Sequence, residues 1–176
     1  CRHVDFPERH GNIQQVSLDG PWMLAFPEGW GVRADVKVDE LKAWMDLDIG
    51  PEGRAFSGTG RYTCEFTLGK LAEDSRAELD LGRVEMIAEV SLNGTPIGTR
   101  WAQPYRFDVT QALKPGTNRL TVEVTSTWFN RLAYDAGRPE AERKTWTISG
   151  PRSDAALQPS GLLGPVVLRV GRRLAF

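Results

Sequence analysis

Two segments of the sequence combine aromatic rings with hydrogen-bonding side chains. A pyranose stacks its apolar C–H face on a flat indole or phenol ring, and its hydroxyl groups bind guanidinium, amide and carboxylate groups. The first segment lies between two expected strands, and the second begins a stretch from 126 to 164 that lacks strand alternation. Their candidate carbohydrate-binding residues are Arg100, Trp101, Tyr105, Trp128, Asn130, Arg131 and Asp135. The same residue types also form interfaces between protein domains, so docking on a neighbouring domain is the alternative.

Hydrolytic chemistry has little support in the sequence. Histidine occurs only as His3 and His10, so a His-dependent triad would take its base from the terminal tail. A glycosidase needs two carboxyl groups held ~5–9.5 Å apart. Asp135 and Glu142 lie in the irregular stretch, but no spacing pairs either of them with a second acid. We therefore predict no catalytic residue and do not expect the chain to be an enzyme by itself.

Cysteine usage and charge exclude other classes. Cys1 and Cys64 form no CxxC pattern, which argues against a zinc site. Cys1 fits either the lipidated first residue of a processed lipoprotein or a boundary of an excised piece. Lys plus Arg number 22 against 23 for Asp plus Glu, so no basic excess is available for nucleic acid. No apolar run approaches the ~20 residues of a membrane-spanning helix, so neither nucleic acid nor a membrane is an expected partner.

The length and the strand pattern predict one β-rich domain. A chain of 176 residues is long enough for a single core, and we divide it into an N-terminal tail, 1–11, and one domain, 12–176. Alternation of apolar and polar residues predicts half-buried strands, and Asn93-Gly94 predicts a tight hairpin turn. The expected strands lie at 61–68, 77–81, 88–92, 120–124 and 166–170.

Helical signals are confined to short pieces at 38–47 and 139–144. We therefore predict an all-β fold, a two-sheet antiparallel β-sandwich of the jelly-roll type. It would carry one or two short helical turns and a long loop, 126–164, before the last strand. Loops of this length are often functional; the alternative is a flap that buries Trp128 and Trp146 over the end of the sandwich. Trp22 and Trp44 are expected in the core.

Several runs of residues resemble a known family. They are SGTGRY at 57–62, LGRV at 81–84, AEVSLNG at 88–94 and GTRWAQPYRFDVT at 98–110. Together they resemble the galactose-binding-like, sugar-binding jelly-roll domain of family 2 glycoside hydrolases, over about 16–170. The stretch 125–146 and the ending QPSGLLGPV at 158–166 more specifically resemble the C-terminal domain of enzymes similar to family 106 α-L-rhamnosidases.

The resemblance implies a function and a context. It implies a non-catalytic carbohydrate-binding or accessory domain of a polysaccharide-degrading glycoside hydrolase, secreted or periplasmic, with carbohydrate and the catalytic domain of the parent enzyme as partners. The alternative is a structural domain that docks on a catalytic barrel and binds no sugar of its own. No cofactor is expected, except that domains of this type often hold a structural calcium ion through backbone carbonyls and carboxylates. No calcium ligand is predicted.

Overall fold

The computed structural model describes residues 3–4, 13–33 and 35–171. Cys1 and His10, and with them most of the predicted tail 1–11, lie outside the described residues. The strands are β1 (His3–Val4), β2 (Gln14–Ser17), β3 (Trp22–Ala25), β4 (Asp35–Val38), β5 (Thr59–Leu68), β6 (Arg76–Asp80), β7 (Arg83–Glu85), β8 (Ile87–Leu92), β9 (Thr95–Arg100), β10 (Arg106–Asp108), β11 (Gly116–Thr125), β12 (Gly161–Gly164) and β13 (Val167–Gly171). The helices are α1 (Gly50–Arg54) and α2 (Phe129–Ala136), with 3-10 turns at Trp44–Asp46 and Glu140–Glu142.

Two sheets share one apolar core. The larger sheet has the order β4-β3-β5-β11-β8-β9, and β1 joins the end of β5 in a short parallel pairing. The smaller sheet has the order β10-β6-β13-β2, and β12 pairs with β7 beside them. The other strand pairings that the structure describes are antiparallel. The predicted all-β, two-sheet sandwich is confirmed.

The central pair β5 and β11 follows directly from the alternation in its sequence. Successive strand residues point to opposite faces, so every second residue of each strand enters the core. Tyr62 and Cys64 lie opposite Val122 and Leu120, and these four side chains are buried. The hydroxyl-bearing and charged residues between them face outward. This pair positions the segment before Thr59, where β5 begins, and the segment after Thr125, where β11 ends.

The hairpin predicted at Asn93-Gly94 is confirmed. Both residues have positive φ, 54° and 81°, which is the conformation that a tight two-residue turn requires. The Asn93 amide also donates to the Ala112 carbonyl and to Asn118 Oδ1, each at 2.8 Å. The side chain therefore ties the hairpin to the start of β11.

The stretch 126–164 contains more regular structure than expected, so its prediction as one long loop is wrong in part. It includes α2, the 3-10 turn at Glu140–Glu142 and β12. Phe129, Leu132, Ala133 and Ala136 follow helical spacing, which is the sequence signal for α2. Three of the four residues that the helix buries are nevertheless polar: they are Asn130, Arg131 and Asp135, beside Ala133.

A buried hydroxyl fixes the end of this stretch to the core. Tyr62 OH accepts hydrogen bonds from Trp44 Nε1 at 2.6 Å and from the Leu162 N–H at 3.1 Å. Burial raises the pKa of Tyr62 to about 12, although both hydrogen bonds act in the opposite direction. Gly161 has φ +104°, and a Cβ there would lie 2.6 Å from Trp44 Nε1 and from Tyr62 OH. The core placement predicted for Trp22 and Trp44 is confirmed.

Candidate functional site

The two predicted segments start at the same end of the larger sheet. In β8, Ala88 pairs with Arg100 at the end of β9, and Ile87 pairs with Thr125 at the end of β11. The chain therefore leaves the sheet on both sides of the first residues of β8. We call residues 100–106 the turn surface, and we describe the segment that follows β11 separately because its surroundings differ.

The turn surface exposes one large aromatic ring. Trp101 follows the edge strand β9, and its side chain is 75% exposed. Arg100 is also exposed; its guanidinium carbon lies 5.8 Å from the centre of the Phe107 ring, and its Nε donates to the Arg106 carbonyl at 3.4 Å. Tyr105 is buried and donates its hydroxyl to the Met86 carbonyl. Tyr105 therefore fixes the turn to the core, while Trp101 remains exposed to solvent.

A polar pocket lies between the turn surface and residues Asp80 and Gly82. Its volume is about 470 Å³, and its lining residues are Asp80, Gly82, Gln103, Pro104, Tyr105 and Arg106. Asp80 Oδ2 accepts hydrogen bonds at 3.0 Å from Arg106 Nε and from an Arg169 terminal nitrogen, and Oδ1 accepts from the Gly82 N–H at 3.0 Å. Partial burial on its own would raise the pKa of Asp80. The hydrogen bonds from Gly82, Arg169 and Arg106 outweigh it and hold the pKa below its usual value.

In the second segment, Asn130 and Asp135 are buried on helix α2. Asn130 forms two hydrogen bonds with the backbone of Gln158: its Nδ2 donates to the carbonyl at 2.7 Å, and its Oδ1 accepts from the N–H at 2.8 Å. Asp135 Oδ2 accepts from the N–H groups of Lys144 and Thr145 at 3.0 and 2.8 Å, and from Thr145 Oγ1 at 2.7 Å. Both side chains thus bind later parts of the same chain.

Arg131 neutralises Asp135 in an ion pair between two side chains that are each 1% exposed. Its Nη2 lies 2.8 Å from Oδ1, and its Nε donates to Oδ2 at 3.0 Å. Burial alone would raise the pKa of Asp135, but the hydrogen bonds from Arg131 and Thr145 outweigh it and hold the pKa below its usual value. A charge in such a site is tolerated because it is paired.

A stack of rings and guanidinium groups covers this ion pair. Trp128 and Trp30 lie 5.5 Å apart, and the Arg131 guanidinium carbon lies 5.6 Å from the centre of the Trp30 ring and 5.2 Å from that of Tyr134. The Arg138 guanidinium carbon also lies 5.2 Å from the centre of the Tyr134 ring. Trp128 is half-exposed, whereas Arg131 is enclosed between two rings.

The structure therefore separates the seven predicted residues. Arg100, Trp101 and Trp128 reach the surface, whereas Tyr105 and the three polar residues of α2 are buried and use their hydrogen-bonding groups within the chain. Carbohydrate binding by these residues stays a prediction. Sequence reasoning missed Asp80, because only the pairing of β6 with β10 sets it opposite Arg106. The alternative, a flap that buries Trp128 and Trp146, does not fit the described residues, since these side chains are 48% and 75% exposed.

The described residues contain no group of three or more His, Cys, Asp or Glu side chains arranged to hold a metal ion. A structural calcium ion held mainly by backbone carbonyls stays a prediction. In the part of the chain that the structure describes, no helix has the length and apolar character needed to cross a membrane.

The fold defines the class of protein: a galactose-binding-like β-sandwich domain of the type found in glycoside hydrolases. The model of the family described as "Glycosyl hydrolase 2 galactose-binding domain-like" matches residues 58–156, more than half of the chain. The chain belongs to this family, and the predicted family resemblance is confirmed.

Individual relatives are larger glycoside hydrolases. The chain is 37% identical to a solved rhamnosidase from Novosphingobium sp. PP1Y, with a TM-score of 0.82. The match covers 94% of this chain and 16% of the rhamnosidase. The chain is 38% identical, over 89% of its own length and 16% of the relative, to a protein of Formosa agariphila provisionally named a beta-glucuronidase. A solved beta-glucuronidase from Ruminococcus gnavus is 21% identical, with a TM-score of 0.69. The match covers 94% of this chain and 29% of that one, and it shows the shared fold alone.

The matched part is a small fraction of each relative. The chain spans 16% of the length of the rhamnosidase and of the Formosa protein. It therefore corresponds to one domain-sized part of such enzymes. The predicted resemblance to rhamnosidases is confirmed, and the position of the matched part at their C-terminus stays a prediction.

Proposed function

We propose that this chain is a non-catalytic accessory domain of a polysaccharide-degrading, rhamnosidase-like glycoside hydrolase and that it binds carbohydrate through the turn surface. The observation that carries the proposal is the exposure of Trp101, which is 75% exposed and precedes by two residues Gln103, a lining residue of the polar pocket. A flat ring in this setting offers a stacking platform for the C–H face of a sugar. The buried Tyr105 below holds the turn in place.

The pocket supplies the hydrogen-bonding groups that a sugar needs. Gln103 offers both an amide donor and a carbonyl acceptor, and Arg106 offers guanidinium donors on an exposed side chain. Asp80 accepts hydrogen bonds as a carboxylate, and its partners Gly82, Arg169 and Arg106 hold its pKa below its usual value. Sugar hydroxyl groups both donate and accept, so this mixture of groups matches them. Asn130, Arg131 and Asp135 do not contact the sugar in this proposal.

A titration tests the proposal. The chain is titrated with a panel of polysaccharides, including rhamnose-containing ones, while tryptophan fluorescence and heat of binding are recorded. Trp101→Ala should weaken binding at least about tenfold, equal to about 1.4 kcal/mol. Trp146→Ala is the matched control, because its ring is equally exposed but lies outside the turn surface. Saturable binding to no glycan by the folded chain, or equal losses in both variants, would contradict the proposal.

The remaining parts of the proposal concern the parent enzyme. We assign hydrolysis to a catalytic domain elsewhere in the parent, and secretion or a periplasmic location follows from the family resemblance. Turnover of an aryl glycoside by this chain that is lost in Asp135→Asn would contradict the first assignment. A calcium ion, if the domain holds one, should raise Tm when calcium is added after EDTA treatment.

A further inference from the structure

The segment between Lys144 and Gln158, which we call the arm, carries exposed apolar side chains away from the sandwich. Trp146 is 75% exposed and Ile148 is 90% exposed. The arm contains no helix or strand, and its tip, residues 145–151, has no charged side chain. Large apolar groups at such a tip are typical of a surface that another protein surface covers.

Side chains of α2 fix both ends of the arm. At its start, Asp135 binds the N–H groups of Lys144 and Thr145, and Lys144 Nζ donates to the Gly29 carbonyl. At its end, Asn130 forms two hydrogen bonds with the backbone of Gln158. The buried polar residues of α2 therefore act as positioning residues for the arm.

We propose that the arm docks, through Trp146 and Ile148, on an apolar surface of the catalytic domain of the same parent glycoside hydrolase. The chain spans 16% of the relatives that it resembles, so most of such a parent lies outside it and can supply the covering surface. The proposal rests on the proposed function only in taking the parent to be a glycoside hydrolase. It concerns residues separate from the turn surface.

The chemistry of the tip favours a protein surface over a sugar. Sugar recognition needs planar hydrogen-bonding groups around the ring, such as guanidinium, amide or carboxylate. The tip has none, because its polar side chains are the hydroxyls of threonine and serine, and Thr147 Oγ1 already donates to the Ser149 carbonyl at 3.0 Å. Trp146 and Ile148 thus offer apolar area with little capacity to read hydroxyl groups.

Hydroxyl-radical footprinting of the full-length parent tests the proposal, with oxidation of each tryptophan read separately by mass spectrometry. We expect Trp146 to be oxidised at least about fivefold more slowly in the parent than in the 176-residue chain, and Trp101 to change less than about twofold. Trp101 should become protected only when polysaccharide is added. Equal reactivity of Trp146 in the parent and in the chain overturns the proposal. Protection of Trp146 in the chain alone at high concentration also overturns it, because a second copy is then the occupant.

A charge at the tip separates docking from incidental protection. Ile148→Lys in the parent should raise Trp146 oxidation at least about fivefold, while Thr95→Lys, at an exposed position at the start of β9, should not. Unchanged protection of Trp146 in Ile148→Lys overturns the proposal. If polysaccharide did not protect Trp101 from oxidation, the proposed function would be contradicted, but the docking proposal would stand.

Discussion

The turn surface and helix α2 carry the same kinds of side chain and start at the same end of the larger sheet, yet they face different surroundings. In the turn surface, Trp101 and Arg100 stand in solvent. In α2, Arg131 and Asp135 are each 1% exposed and bind each other, and Asp135 also binds the arm. Residue type thus indicates which chemistry is available, whereas what covers the segment decides whether that chemistry serves a ligand or the chain itself.

The difference has a physical origin in the sheet order. Strand β9 is an edge strand, so no further strand of the larger sheet lies beside the turn that follows it. Helix α2 follows the central strand β11, and the Trp30 segment and the arm pack over it. A polar side chain under such a cover must find partners within the chain, because an unpaired buried polar group is costly.

The largest expected effect comes from breaking the buried ion pair. Asp135→Ala should lower the free energy of unfolding by about 3–5 kcal/mol, because it leaves the Arg131 charge buried and uncompensated. Urea denaturation followed by circular dichroism measures this. Asp154→Ala is the control, since the Asp154 carboxylate is exposed and its ion pair with Arg152 lies in solvent. A loss below about 1 kcal/mol for Asp135→Ala would show that α2 is not the stabilising region we describe.

A smaller effect is expected at the other end of the arm. Asn130→Ala removes both hydrogen bonds to the Gln158 backbone and should cost about 1–3 kcal/mol, because the buried Asn130 side chain contributes two bonds of about 0.5–1.5 kcal/mol each. Gln103→Ala is the matched amide in the turn surface, and it should leave the free energy of unfolding unchanged while weakening binding of polysaccharide. If the two variants exchanged these effects, the contrast between the regions would be reversed.

Acidification provides a third measurement. The pKa of Asp135 is lower in the folded chain than its usual value of about 3.9. Its contribution to stability is therefore fully present above about pH 4 and is lost as the pH falls through the folded pKa. Asp135→Asn should lose less stability than the unchanged chain between pH 5 and pH 2, as measured by thermal unfolding. The lowered pKa of Asp80 remains in both proteins, so the curves of the two proteins should differ but not become flat.

The sequence predicted the regular sheet better than the site. Alternation at 61–68 identified β5, and Asn93-Gly94 identified the hairpin between β8 and β9, because both signals are local. The burial of Asn130 and Asp135 was not predictable, because the groups they bind, at 144–145 and 158, become neighbours only when the chain returns along α2. Asp80 was missed for the same reason: its partners Arg106 and Arg169 come from the two strands that flank β6.

The smallest expected change in stability is at the turn surface itself. Trp101→Ala should alter the free energy of unfolding by less than about 0.5 kcal/mol, because a 75% exposed ring contributes little to the core. Trp128→Ala is the comparison, since its half-exposed ring packs against Trp30 at 5.5 Å and should cost about 0.5–1.5 kcal/mol. A larger loss for Trp101→Ala, measured by the same denaturation, would mean that this indole stabilises the domain. Its exposure would then no longer support a binding role.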